Sequence, residues 1–155
     1  MIVREVARFK STLPEDIIET EDGSDFVQPP GKSVADALAD IVRGFDYEIY
    51  YGPEPAGEFV WKLGISKAGR RFGAGLNLVE DYFLTFKNPS WTDALLDRHP
   101  AVYLNLLLRL SREFAANPRF SDVRWFARGE DAYNAPGAPA PVDEDAIQRA
   151  RKRKR

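Results

Sequence analysis

The stretch Phe45–Lys87, FDYEIYYGPEPAGEFVWKLGISKAGRRFGAGLNLVEDYFLTFK, decides the fold. Four segments of it alternate apolar and polar residues, with short turns between them, the period-two signature of half-buried antiparallel strands. Phe45, Tyr47, Ile49 and Tyr51 share one face of the first segment, and Phe59, Trp61, Leu63 and Ile65 share one face of the second. A one-residue slip inverts a strand, so these stripes fix pairing parity. Ile49 is expected opposite Phe59, Tyr47 opposite Trp61 and Phe45 opposite Leu63. The same register sets Asp46 across from Lys62, a cross-strand pair worth about 0.2–1 kcal/mol. A two-residue turn at Ala68-Gly69 pairs Ile65 with Phe72, Leu63 with Ala74, Trp61 with Leu76 and Phe59 with Leu78. Tyr82–Lys87 admits two registers. A two-residue Glu80-Asp81 turn sets Phe83 against Leu78, whereas a three-residue loop turns Leu84 and Phe86 to the apolar face.

Outward from the strands, two helices bracket the sheet. Val34, Leu38, Ile41 and Phe45 recur at helical spacing behind Ser33, a residue suited to cap the N-terminus, and Gly44 is placed to end the helix in the left-handed region. After Asn88-Pro89-Ser90, Thr92–Arg98 reads as a short helix. Pro100 then opens a second long helix, 100–116, whose polar residues Asn105, Arg109, Arg112 and Glu113 occupy one narrow stripe. Ile2–Phe9 and Val123–Ala127 read as terminal strands. Thr12-Leu13-Pro14-Glu15 matches a capping box and predicts a helical turn over Pro14–Thr20, and Glu21–Lys32 reads as loop. The fold class is therefore α+β: a mainly antiparallel sheet of five to six strands in the order β-α-β-β-β-β-α-β, with two main helices packed on it. One domain spans 1–128. The Pro/Ala-rich and then charged residues 129–155 are expected to be a disordered basic tail.

Composition narrows the function classes. The 155 residues are 44% hydrophobic and 30% charged, an ordinary balance for a soluble protein. The chain lacks cysteine, which excludes disulfides and thiolate metal sites and fits a reducing compartment. It shows neither a signal-peptide pattern nor the ~18 consecutive apolar residues of a membrane span, so a cytoplasmic location is expected. The net charge of −2 conceals an asymmetry, because Arg149–Arg155 (RARKRKR) holds six basic residues and no acid, leaving a more acidic body. Six acids, Glu15, Asp16, Glu19, Glu21, Asp22 and Asp25, fall together without a base among them.

No recognisable catalytic constellation stands in the chain. The lone His99 precedes Pro100 and has no orienting partner in a motif, and the nucleophile elbow, phosphate loop and zinc-helix patterns are absent. Gly73-Ala74-Gly75 continues as strand and cannot open a phosphate-binding helix. No metal or cofactor is expected. Gly64, Gly73 and Gly75 all face away from the Trp61 stripe, with Gly64 opposite Gly73. That leaves bare backbone in mid-sheet, read as close packing, as curvature, or as a groove for a ligand or peptide. The acidic segment Glu15–Asp25 reads as a solvated loop or as a docking surface for a basic partner. Tyr50 and Trp91 fall off the inward stripes and are of the residue types that anchor interfaces. The basic tail is suited to phosphate neutralisation, and the apolar surplus of helix 100–116 to a homodimer.

The stretch Gly69–Trp91 (GRRFGAGLNLVEDYFLTFKNPSW), the helix opened by His99-Pro100 and the Phe120–Phe126 ending (FSDVRWF) resemble small α+β immunity proteins of bacterial polymorphic-toxin systems. The likeness runs from Val34 to Ala127. It implies a non-catalytic protein that binds and neutralises a partner toxin, and it assigns no particular binding residues. The expected contacts come from the residues themselves: Glu15, Asp16, Glu19, Glu21, Asp22, Asp25, Tyr50 and Trp91. The alternatives are a nucleic-acid-associated protein using the tail, and an enzyme of unrecognised class.

Overall fold

The computed structural model describes residues 1–57 and 59–153. In chain order its elements are β1 (Val6–Ser11), β2 (Ile18–Glu19), β3 (Phe26–Gln28), α1 (Lys32–Gly44), β4 (Glu48–Pro55), β5 (Val60–Lys67), β6 (Arg70–Val79), β7 (Asp81–Lys87), α2 (Trp91–Leu95), α3 (Ala101–Ala116), β8 (Phe120–Phe126) and α4 (Glu144–Arg153). Six strands form one antiparallel sheet in the spatial order β4-β5-β6-β7-β1-β8, and β2 and β3 pair separately. The architecture is α+β, with α1 and α3 on one face of the sheet. Trp61, Leu63, Ile65, Phe72, Leu76, Leu84 and Phe86 meet Val34, Leu38, Tyr103, Leu107 and Phe114 there in one core.

Registers follow apolar parity wherever a tight turn joins two strands. β5 and β6 pair Ile65 with Phe72, Leu63 with Ala74 and Trp61 with Leu76. Ala68 and Gly69 both have positive φ, +50° and +75°, as a turn matched to right-handed strand twist requires. Between β6 and β7 the three-residue loop holds: Leu78 pairs with Tyr82, Leu76 with Leu84 and Ala74 with Phe86, and Glu80 supplies the left-handed residue at φ +61°.

The register of β4 on β5 differs from expectation. Ile49 lies opposite Ile65 and Glu48 opposite Ser66, and two irregularities follow before Glu54 meets Lys62 and Pro55 meets Trp61. β4 thus runs on through Gly52 and Pro53, and the loop shortens to the residues between Pro55 and Val60. Alternation constrains parity and leaves loop length free, so the six-residue slide keeps Ile49 on the core face. Asp46 consequently reaches Lys67, at 3.5 Å, in place of Lys62. Phe59 stands outside β5, exposed, with its ring edge-on to Phe26 at 5.5 Å.

Local details change as well. Pro14–Thr20 forms no helical turn: Ile18 and Glu19 enter the β2–β3 hairpin, whose second strand lies in the segment expected as loop. α1 begins one residue earlier than Ser33, and the Ser33 hydroxyl bonds the Asp16 carboxylate instead of capping. The left-handed residue after α1 is Asp46, at φ +67°, and Gly44 stays helical. Pro100 takes the cap position of α3, with extended backbone.

The largest revision concerns the C-terminal segment. The domain does not stop at 128, because Arg128–Val142 is laid across β7, β1 and β8. Trp125 exchanges two backbone hydrogen bonds with Ala138, both 2.8 Å. Arg8 donates to the carbonyls of Ala132 and Tyr133 at 2.8 and 3.2 Å, and the Tyr133 ring lies 4.7 Å from that of Phe83. Val142 is fully buried with Leu104 and Leu108, and Ile147 of α4 packs beside them. Leu104 and Leu108, part of the apolar surplus of α3 that suits a homodimer, thus pack against the chain's own Val142 and Ile147. Proline, alanine and glycine, which read as disorder, make a thin extended strap whose carbonyls the sheet can satisfy. The basic residues Arg149–Arg153 are exposed along or at the end of α4. Lys154 and Arg155 lie outside the described residues.

Candidate functional site

The sheet face away from α1 and α3 is divided. Side chains of alternate residues share a face and cross-strand partners stand about 4.5–5.5 Å apart, so the registers lay out this face as a lattice. Gly73 has Gly64 on one side, Lys87 on the other and Arg71 two residues before it. Gly75 has Lys62 on one side, Thr85 on the other and Asn77 two residues on. The three glycines therefore do come together, as the sequence required. They floor a groove of about 500 Å³ lined also by Tyr50, Tyr51, Lys62, Asn77, Thr85 and Lys87.

The glycines play different parts. The Tyr50 ring lies flat on Gly64, where an added Cβ would stand 2.6 Å from the ring, so Gly64 exists for close packing. The Arg71 guanidinium lies over the same ring, 4.8 Å from its centroid. Above Gly73 nothing comes within 4 Å, and above Gly75 only Val60, at 3.7 Å. Among the described residues no carboxylate pairs with Lys62, Arg71 or Lys87. Beside the groove, the Glu54 carboxylate raises the Tyr51 phenol through a hydrogen bond and through its charge. Sequence reasoning found the glycine floor and Tyr50 but missed Lys62, Arg71 and Lys87. The signal was present, since all three share the parity of the glycines.

The six clustered acids occupy the β2–β3 hairpin and its approach, and all six are exposed. Asp22 is its structural member. The Thr20 hydroxyl, then Ser24 through hydroxyl and backbone N–H, hold its carboxyl down at about 2. Asp25 accepts from the Phe26 N–H at 2.7 Å, and Asp16 is engaged by Ser33. Glu15, Glu19 and Glu21 pair with no cation among the described residues. Ile17, Ile18 and Val27 are exposed on the same hairpin, Val27 at 67%. Beneath it, burial first and then the Glu15 and Asp16 charges push the Tyr82 phenol up to about 12.

Trp91 lies elsewhere. It opens α2 and is exposed at 74%, as is Leu95 one turn on. Asp93, the buried acid of α2, accepts from Arg70 at 2.8 Å and Asn88 at 3.0 Å, with Arg98 at 3.3 Å. The Asn88 hydrogen bond first, then the Arg70 and Arg98 charges, keep its carboxyl below the ordinary range. This cluster ties α2 to the start of β6, whereas the acidic hairpin meets Phe59 through Phe26, and its Glu15 and Asp16 charges reach Tyr82, near the other end. About 3.3 Å per residue separates the two by roughly 25 Å. The acids, Tyr50 and Trp91 thus belong to three surfaces. His99 is half-buried, 4.0 Å from Asp97, in a shallow concavity with Arg70 and Arg98. Among the described residues no group of three or more acids and histidines is placed to hold a metal ion, and no helix is long and apolar enough to cross a membrane.

In comparisons with family models, with curated proteins and with solved structures, nothing matches the chain.

Proposed function

We propose that the protein is a non-catalytic binding module that docks a basic protein partner through the β2–β3 hairpin. The observation that carries this reading is the pairing of exposed aliphatic residues, Ile17, Ile18 and Val27, with the unpaired carboxylates of Glu15, Glu19 and Glu21 on one small, internally braced element. Apolar centre and charged rim is the anatomy of a protein interface, and clustered like charge selects partners by sign and speeds their encounter. The resemblance of Val34–Ala127 to immunity proteins makes a toxin domain with a basic cleft the partner of choice. Neutralisation then needs no chemistry from this chain, only occupancy of that cleft.

The structure refines the test. Asp22 and Asp25 bond the hairpin backbone, so charge reversal belongs at Glu15, Glu19 and Glu21. Wild-type protein is expected to capture one basic protein in stoichiometric amount from nuclease-treated lysate of the source cell, and to suppress the growth arrest that this protein causes when expressed alone. The triple lysine variant should lose at least tenfold in affinity, about 1.4 kcal/mol or more. Equal capture and equal suppression by that variant would refute the hairpin as the docking surface.

A further inference from the structure

We propose that the glycine-floored groove on the open sheet face binds single-stranded nucleic acid, seating a base on Gly73 and Gly75 and meeting the flanking phosphates with Lys62, Arg71 and Lys87. This surface is separate from the hairpin, and either can fail without the other.

The floor sets what can lie on it. β6, which carries Gly73 and Gly75, is an interior strand paired without irregularity to β5 and β7, so its N–H and C=O groups at these two glycines are spent on the ladder. The floor therefore presents flat peptide planes and no free hydrogen-bonding groups, the complement of a planar ring. Nothing stands within 4 Å above Gly73, and the lattice neighbours of the two glycines are Tyr50 on Gly64, Lys87, Arg71, Lys62, Thr85 and Asn77. Arg71 has its guanidinium 4.8 Å from the centroid of the Tyr50 ring, which places a cation for phosphate beside that ring. Sheet surfaces that hold single strands stack two or three bases on aromatic side chains beside cations, and here the exposed Tyr50 ring on Gly64 is that aromatic, with the Gly73 and Gly75 peptides beside it.

Other occupants fit less well. An acidic peptide lying on this face would leave its own backbone unpaired, and peptides that bind sheets add to an edge. The β4 edge is poorly suited to that, carrying Pro53, Pro55 and two register irregularities. A free mononucleotide brings phosphate to one side of its base. Lys62 and Lys87 stand at diagonal corners of the floor, on β5 and β7, about 12 Å apart by strand spacing and rise, and a strand running through supplies a phosphate to each. A duplex cannot offer an unstacked base. The basic end of α4 is not needed.

The test is fluorescence anisotropy of the full chain with labelled single strands of RNA and DNA about twelve nucleotides long. Three phosphate contacts predict a log–log salt slope near −2, about a twentyfold loss between 50 and 200 mM salt. Gly73→Val, which fills the floor with a strand-compatible side chain into open space, should weaken binding about tenfold with the melting temperature unchanged, as expected for one base losing its stacking surface. Lys62→Ala with Lys87→Ala should weaken binding and flatten the slope, which keeps the test decisive if Gly73→Val folds poorly. Truncation after Gln148 should change affinity less than about twofold. The proposal is overturned by absence of binding at 50 mM salt. It is equally overturned by binding that follows the tail instead of the groove, or by duplex, mononucleotide or polyglutamate competing as well as unlabelled single strand.

Discussion

The two halves of the open sheet face use one contact in opposite ways. Over β7, β1 and β8 the strap covers the sheet, and Gly137 of the strap lies on the Phe126 ring. Over β4, β5 and β6 the sheet supplies the glycine, and the Tyr50 ring of the edge strand lies on Gly64. In the first half the ring is fully buried; in the second it remains 45% exposed. A ring on a glycine is therefore compatible with a finished core and with an open surface. What separates the halves is the neighbouring side chains. Phe83, Phe126 and Arg8 bury or satisfy a second layer of chain, whereas Gly73, Gly75, Lys62 and Lys87 leave nothing for such a layer to bury.

The same substitution should distinguish them. Gly137 sits at φ +68° with an added Cβ 2.7 Å from a ring that has no room to move. Gly137→Ala should therefore cost about 2–4 kcal/mol, from left-handed strain and overpacking together, read as a shift of the denaturation midpoint. Gly64→Ala meets a half-exposed ring that can swing away, and about 1 kcal/mol is expected. Combining it with Tyr50→Ala should remove most of that cost in a double-mutant cycle. Equal costs at the two glycines would show that the Tyr50 wall is as rigid as the covered half.

A smaller effect separates the halves by acid. The start of β6 is pinned to α2 through Asp93, whose carboxyl is depressed below its ordinary 3.8. A depressed folded value contributes stability that is full above the unfolded value and is lost as pH falls through the folded one. The strap is held by Arg8 on carbonyl groups, which do not titrate. Lowering the pH from 5 to below the folded value of Asp93 should raise exchange of the Ser90–Arg98 amides, corrected for intrinsic rates, and leave that of Ala138 unchanged. Asp93→Asn should abolish the difference between the two pH values.

Much of this protein is legible in its sequence. The Ala68-Gly69 turn, the β5–β6 register and the shared face of Gly64, Gly73 and Gly75 all follow from alternation, because period two and a tight turn leave one solution. The β2–β3 hairpin was not legible, since Thr12-Leu13-Pro14-Glu15 carries helix-start chemistry and the hairpin rests on tertiary support from Phe59 on Phe26 and from Ser33 on Asp16. Nor was the candidate site. The sequence puts the six acids, Tyr50 and Trp91 forward as one contact set, and the fold distributes them over three surfaces.

Local patterning, which acts within a strand and across a short turn, thus determined the α+β class, the central hairpins and the bare glycine strip. Only the tertiary structure decided which surfaces are free. Burial by a segment distant in sequence, such as Arg128–Val142 on β7, β1 and β8, leaves no periodic trace in either partner. The strap closes half of the face, and the glycine groove with the cations around Gly73 and Gly75 stays open only because the strap does not reach the other half.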